Sequence, residues 1–136
     1  MKLNKKIFIV AGESSGDQHA AKYVNAHKQL DPNVEFYGIG QQELRASGVN
    51  IIFDSEDIAV VGIVEVISKY KNIRNALHKS YRFILENKPD LVVLVDYVEF
   101  NLKIANYAKS KGIKVLFYIA PQVWAWREKR IEKIIK

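Results

Sequence analysis

Pro89-Asp90-Leu91-Val92-Val93-Leu94-Val95-Asp96 sets a run of apolar, mostly β-branched residues between a proline and an acid. A strand with one face in water alternates apolar and polar side chains. A run without that alternation suits a strand covered on both faces, as in a parallel sheet with helices above and below. Ile7-Phe8-Ile9-Val10, Val34-Glu35-Phe36-Tyr37 and Lys114 to Ile119 read as further strands, and the stretches between them have helical spacing. This βαβα rhythm predicts an α/β fold, a doubly wound parallel sheet, in a single domain over residues 1–136.

Asp17 to Leu30 is expected to be helical, with Ser14-Ser15-Gly16-Asp17 at its N-terminus and Asp31-Pro32 closing it. Ile73, Leu77, Tyr81 and Ile84 form one helical stripe, which stops before Pro89 because a proline ring disfavours helical geometry at Lys88. Asn101 fits an N-cap for a helix over Leu102 to Ser110, and Gly112 fits the C′ position that releases the chain into the next strand. Gly38-Ile39-Gly40 reads as a turn after the second strand. Arg127 to Lys136 carries a helical pattern through Ile131, Ile134 and Ile135, with no stop signal after it.

The composition agrees with one core: 136 residues, 49% hydrophobic and 26% charged, with 7 Gly and 3 Pro. Zero Cys excludes a disulfide framework, a zinc ribbon and a thiol nucleophile, and fits a reducing compartment. The longest apolar stretches, Ile58 to Val64 and Val115 to Ala120, fall well short of the roughly 18 residues of a membrane span. The basic start from Met1 to Lys6 runs into an apolar stretch too short for a signal peptide, and is expected to open the first strand with nothing cleaved. His19, His27 and His78 lack metal-ligand spacing, so no metal is expected.

A net charge of +6 favours an anionic partner: nucleic acid, phosphorylated metabolite or lipid headgroup. Lys69 to Arg82 holds five basic residues and no acidic one, whereas Arg127 to Lys136 mixes both signs. Either could be a solvated helix face. Nucleic acid is not expected, because aromatic residues are not interleaved with the basic run in the strand pattern of an RNA-binding platform.

Three segments could carry chemistry. A strand, then Ala11-Gly12-Glu13-Ser14-Ser15-Gly16-Asp17, then a helix, brings backbone N–H groups to the carboxyl edge of a parallel sheet, where ligands bind. The run matches neither the dinucleotide fingerprint nor the Walker A loop, and it also suits a purely structural turn. Asp96 follows the Leu91 to Val95 strand, with Glu99 and Asn101 close behind. An acid there can serve as general base for a hydroxyl nucleophile, or can cap a turn. After the last strand, Ala120 to Arg127 would bring Gln122, Trp124, Trp126 and Arg127 to the same edge. Aromatic walls with a guanidinium suit a sugar phosphate or acyl-sugar, although indoles also fill cores. The segment Ile58 to Tyr70, with Ile63, Val64, Val66, Ile67 and Tyr70, is rich in apolar residues and runs into the basic stretch. That composition suits an anionic membrane surface or a well-buried helix.

Together, Ala11 to Asp17, Ala59 to Val66, Pro89 to Asp96 and Tyr118 to Arg127 closely resemble, in that order, the N-terminal part of the lipid A disaccharide synthase family. The resemblance implies a Rossmann-like N-terminal domain of a GT-B glycosyltransferase, with the C-terminal nucleotide-binding domain missing from this chain. It further implies transfer of 2,3-diacylglucosamine from a UDP-linked donor to a phosphorylated acyl-sugar acceptor, with inversion and without metal or cofactor. Asp96 matches the family's candidate general base. Gly12, Glu13, Ser14, Ser15, Gly16 and Asp17, with Glu99, Asn101, Gln122, Trp124, Trp126 and Arg127, match positions lining the cleft. The apolar segment matches a surface that meets the cytoplasmic face of the inner membrane, so a cytoplasmic, peripheral location follows, and a homodimer is compatible with it. Where the family usually reads Asp-x-Pro-Asp-Phe-Asn, this chain has Asp96-Tyr97-Val98-Glu99-Phe100-Asn101, and Gln41 stands where glycine is usual. A non-catalytic phosphate- or nucleotide-binding α/β domain is the alternative reading.

Overall fold

The structure, a computed structural model, describes residues 5–55 and 66–118, with the backbone alone for 66–69. In chain order the elements are β1 (Lys5–Ala11), α1 (Ser14–Leu30), β2 (Val34–Gly40), α2 (Gln42–Ala46), β3 (Asn50–Asp54), α3 (Val66–Asn87), β4 (Leu91–Val95), α4 (Val98–Ser110) and β5 (Lys114–Tyr118). The strands form one sheet in the order β3-β2-β1-β4-β5, and every pairing is parallel. The doubly wound expectation therefore holds.

Strand periodicity divides the core into two layers. Ile7, Ile9, Ala11, Val93 and Val95 point to one face and pack with Ala20, Ala21 and Val24 of α1. Phe8, Val10, Val92 and Leu94 point to the other and pack with Leu77, Phe83 and Ile84 of α3 and Phe100 and Ile104 of α4. Each of these strand residues is buried, which is why β1 and β4 lack alternating polar positions. The edge strands β3 and β5 are only half buried.

The helix ends follow local chemistry. α3 stops at Asn87, and Lys88 takes a left-handed conformation before Pro89. Asp90 then ties the start of β4 to β1: its backbone N–H donates to the Lys6 carbonyl at 2.8 Å and its carboxylate accepts the Lys6 N–H at 2.9 Å. At the end of α4, Gly112 is left-handed and donates to the Lys109 carbonyl, while Ile113 donates to the Ala108 carbonyl. That paired geometry is the Schellman stop that Gly112 predicts.

Three local expectations are corrected. Gly38-Ile39-Gly40 is not a turn but the end of β2, where a β-carbon at residue 38 would collide with the Ile9 carbonyl of the neighbouring strand. α1 begins at Ser14 rather than Asp17, so the serine and glycine cluster forms its first turn. α4 begins at Val98 rather than Leu102, so Asn101 lies one turn inside the helix instead of capping it. The expected helix over Arg127 to Lys136 lies outside the described residues.

Candidate functional site

The strand order leaves a crevice between β1 and β4. The chain leaves β1 toward β2 on one side and reaches β4 toward β5 on the other, so their carboxyl ends meet at the topological switch point. Ala11 is in register with Val95, so Gly12 and Asp96 are the first residues beyond paired strand ends. The two segments singled out on sequence grounds thus share one rim.

Asp96 is half buried, and its backbone N–H donates to the Tyr118 carbonyl at the end of β5, 3.0 Å away. Both Asp96 and Tyr97 adopt left-handed backbone conformations, with φ of 50° and 43°. A side chain with a β-carbon adopts that region reluctantly, and two in succession form a tight corner between β4 and α4. Tyr97 folds back over Gly12, whose missing side chain admits the ring. Burial first, and then the Glu13 carboxylate, push the Tyr97 hydroxyl above its ordinary value.

Asn101 is wholly buried and turned toward the backbone. Its Nδ2 donates to the Asp96 carbonyl at 2.8 Å and to the Val95 carbonyl at 3.4 Å, while its Oδ1 has no hydrogen-bond partner among the described residues. Asp17 is also buried and also serves the backbone. Its carboxylate accepts the N–H groups of Gln41, at 2.7 Å, and Glu43, at 2.9 Å, with Leu44 at 3.4 Å, so it caps α2 from the first turn of α1. Gly16 lies buried under the same turn, whereas Glu13, Ser14, Ser15 and Glu99 are exposed. Ser14 donates to the Gln41 side-chain carbonyl at 3.1 Å, and these residues open, with Gln18, Gln42 and Glu43, onto a recess of about 210 Å³.

Chemically, this rim offers a carboxylate at a strand end beside polar side chains suited to hydroxyl groups. Glu13 and Asp17 place two acidic side chains at the start of α1, Asp17 with its carboxylate on the α2 backbone. Beyond the Asp96 corner, Ile73, Leu77, Tyr97 and Phe100 line an apolar recess of about 160 Å³, edged by Glu99 and Lys103. Among the described residues, no group of acidic, histidine or cysteine side chains could hold a metal ion.

Gln122, Trp124, Trp126 and Arg127 lie outside the described residues, as do Ile63 and Val64, and the side chains of Val66 and Ile67 are not described. Tyr70, on α3, is 69% exposed. Since β5 pairs with β4, Tyr118 ends at the same sheet edge as Val95 and Asp96. Sequence reasoning missed the Asp17 cap of α2 and the Tyr97 contact with Gly12. The glycine itself was the signal for the second.

A family model described as lipid-A-disaccharide synthetase matches residues 7–136. The chain belongs to this family. The lipid-A-disaccharide synthase of Nitrosococcus oceani is 53% identical over 94% of the chain, that of Geobacter metallireducens 48% over 98%, and that of Coxiella burnetii 43% over 98%. The chain spans 33% to 35% of the length of these curated relatives. Among solved structures, the C-terminal domain of a hydrogenase from Pyrococcus furiosus superposes with a TM-score of 0.63 over 86% of this chain and 92% of that one. At 15% identity that likeness concerns the fold alone. Within the synthetase family, the four motifs quoted above fall inside the matched region.

Proposed function

We propose that the chain is the acceptor-side, N-terminal part of an inverting glycosyltransferase of lipid A biosynthesis. The intact enzyme would move 2,3-diacylglucosamine from its UDP derivative to the primary hydroxyl of 2,3-diacylglucosamine 1-phosphate. Asp96 acts as general base: its carboxylate takes the hydroxyl proton as the new oxygen–carbon bond forms, and UDP leaves with the electron pair of the broken bond. The second domain would stabilise the departing UDP. The turn from Gly12 through Glu13, Ser14 and Ser15, with Glu99 and the Gln122, Trp124, Trp126 and Arg127 run, lines the cleft in this reading, over Gly16 and Asp17, which are buried beneath it, and with no cofactor. The observation that carries it is the position of Asp96, one residue past β4 at the switch point and across from the Gly12 turn.

The apolar recess beside Tyr97 would take part of an acyl chain. Ile63, Val64, Val66, Ile67 and Tyr70, with the basic run that follows, would rest on anionic lipid at the cytoplasmic face of the inner membrane. No helix among the described residues is long and apolar enough to cross a membrane.

Turnover of both lipid substrates by the full-length enzyme is the test. Asp96→Ala is expected to lower kcat by roughly 10²- to 10⁴-fold. A near-normal rate removes Asp96 from the base role. Residues 1–136 alone are expected to give no product, since a site of this type forms between two domains.

A further inference from the structure

We infer that Asn101 is a positioning residue for Asp96, acting through the main chain rather than on the substrate. The inference rests on the base role proposed for Asp96. Asn101 has no solvent exposure, and its amide nitrogen donates to two successive carbonyls, those of Val95 and Asp96. The Asp96 peptide is therefore held from two sides. β5 accepts its N–H through Tyr118, and α4 donates to its carbonyl through Asn101.

The corner needs such a hold because Asp96 and Tyr97 are both left-handed without being glycine. Released, either residue would relax toward an extended or right-handed conformation, and the Cα–Cβ bond of Asp96 would swing with it. A general base works only within hydrogen-bond reach of its proton, so a displacement of about 1 Å is enough to slow the step. Only a side chain with two N–H donors on one nitrogen serves both carbonyls from this place. Aspartate has the same shape and no donor, and would set its oxygens against those carbonyls.

A double-mutant cycle in the full-length enzyme separates positioning from general structural support. Asn101→Ala is expected to lower kcat ten- to a hundredfold with KM changed less than about threefold, and Asn101→Asp at least as much. In an Asp96→Ala background, Asn101→Ala should cost less than about twofold more, because there is no longer a base to aim. The same factor in both backgrounds, or a loss confined to KM, overturns the inference while leaving Asp96 as base. An Asp96→Ala enzyme of normal rate overturns both. Thermal unfolding accompanies each variant. Should Asn101→Ala not be recovered folded, Asn101→Ser, which keeps a hydroxyl donor, enters the same cycle and is read in the same way.

Discussion

The ring of Tyr97 lies against the α-carbon of Gly12, so close that a β-carbon on residue 12 would overlap Cγ and Cδ2 of the ring. The turn after β1 and the corner after β4 are thus mechanically joined. Gly12→Ala must displace the ring, and with it the left-handed corner that carries Asp96. We expect a loss of about 1–3 kcal/mol in unfolding free energy, typical of over-packing. In the full-length enzyme kcat should fall as well. Tyr97→Ala should cost less stability in the Gly12→Ala background than in the unaltered protein, and should not restore the rate, which a denaturation series and a turnover assay would show.

Two other glycines separate backbone from side-chain constraints. A β-carbon at Gly38 would strike the Ile9 carbonyl inside the β1–β2 ladder, so Gly38→Ala should prevent folding. At Gly16 the nearest atoms would be 3.7 Å away, ordinary contact, and the residue is helical. Gly16→Ala should therefore be neutral or stabilising by roughly 0.5 kcal/mol. Thermal unfolding of the two variants side by side checks the contrast.

Asp17→Ala removes the acceptor for two short backbone N–H bonds and leaves the start of α2 uncapped. A loss of roughly 2–3 kcal/mol is expected. Asp17→Asn keeps one carbonyl oxygen and should lose less. If Asp17 served the substrate instead, Asp17→Ala would change KM with stability intact.

Tyr97 also gives a pH dependence. Its folded-state hydroxyl titrates above the ordinary value of 10.0, through burial and then the Glu13 carboxylate. Well below pH 10 the hydroxyl is neutral in both states and its contribution to stability is fully present. Above it the unfolded chain loses the proton first, so stability falls as pH rises through the folded-state value. Tyr97→Phe keeps the ring over Gly12 and removes this titration, so unfolding free energy measured from pH 9 to 11.5 should decline less steeply. Tyr23, Tyr37 and Tyr81 are raised in the same direction and account for decline that remains.

The proposed membrane contact predicts binding to vesicles containing phosphatidylglycerol but not to neutral ones. Val64, Ile67 and Tyr70 changed together to serine should abolish sedimentation with the vesicles. Retention on heparin without vesicle binding would favour a nucleic-acid partner instead.

What could be read in advance follows from how local each signal is. The unbroken run Leu91 to Val95 announced a strand buried on both faces, and Pro89 and Gly112 marked helix ends through their own backbone chemistry. β3 was missed because Asn50–Asp54 is a short edge strand whose register with β2 contains an irregularity. The start of α4 was misjudged because proline, which commonly marks the first helical residue, is replaced here by Val98, leaving Asn101 as the apparent cap. The roles of Asn101 and Asp17 were hidden for a different reason. Asp17 bonds to main-chain groups that only the finished fold brings near, 24 or more residues away. Asn101 bonds to carbonyls only five and six residues back, but they belong to a corner in which Asp96 is of a type that enters the left-handed region and Tyr97 is not.

The pairing of Ile7 with Leu91 and of Ala11 with Val95 joins positions separated by more than half the chain. The central ladder cannot close during synthesis until β4 has left the ribosome, and an early intermediate holding only β1, β2 and β3 exposes an open β1 edge. Closing so long a loop is slow, and the rim that joins Gly12 to Asp96 is then among the last features to form. Nascent chains arrested before residue 91 should accordingly be protease-sensitive and prone to associate, whereas those long enough for Tyr118 to have cleared the ribosome should acquire protection in one step.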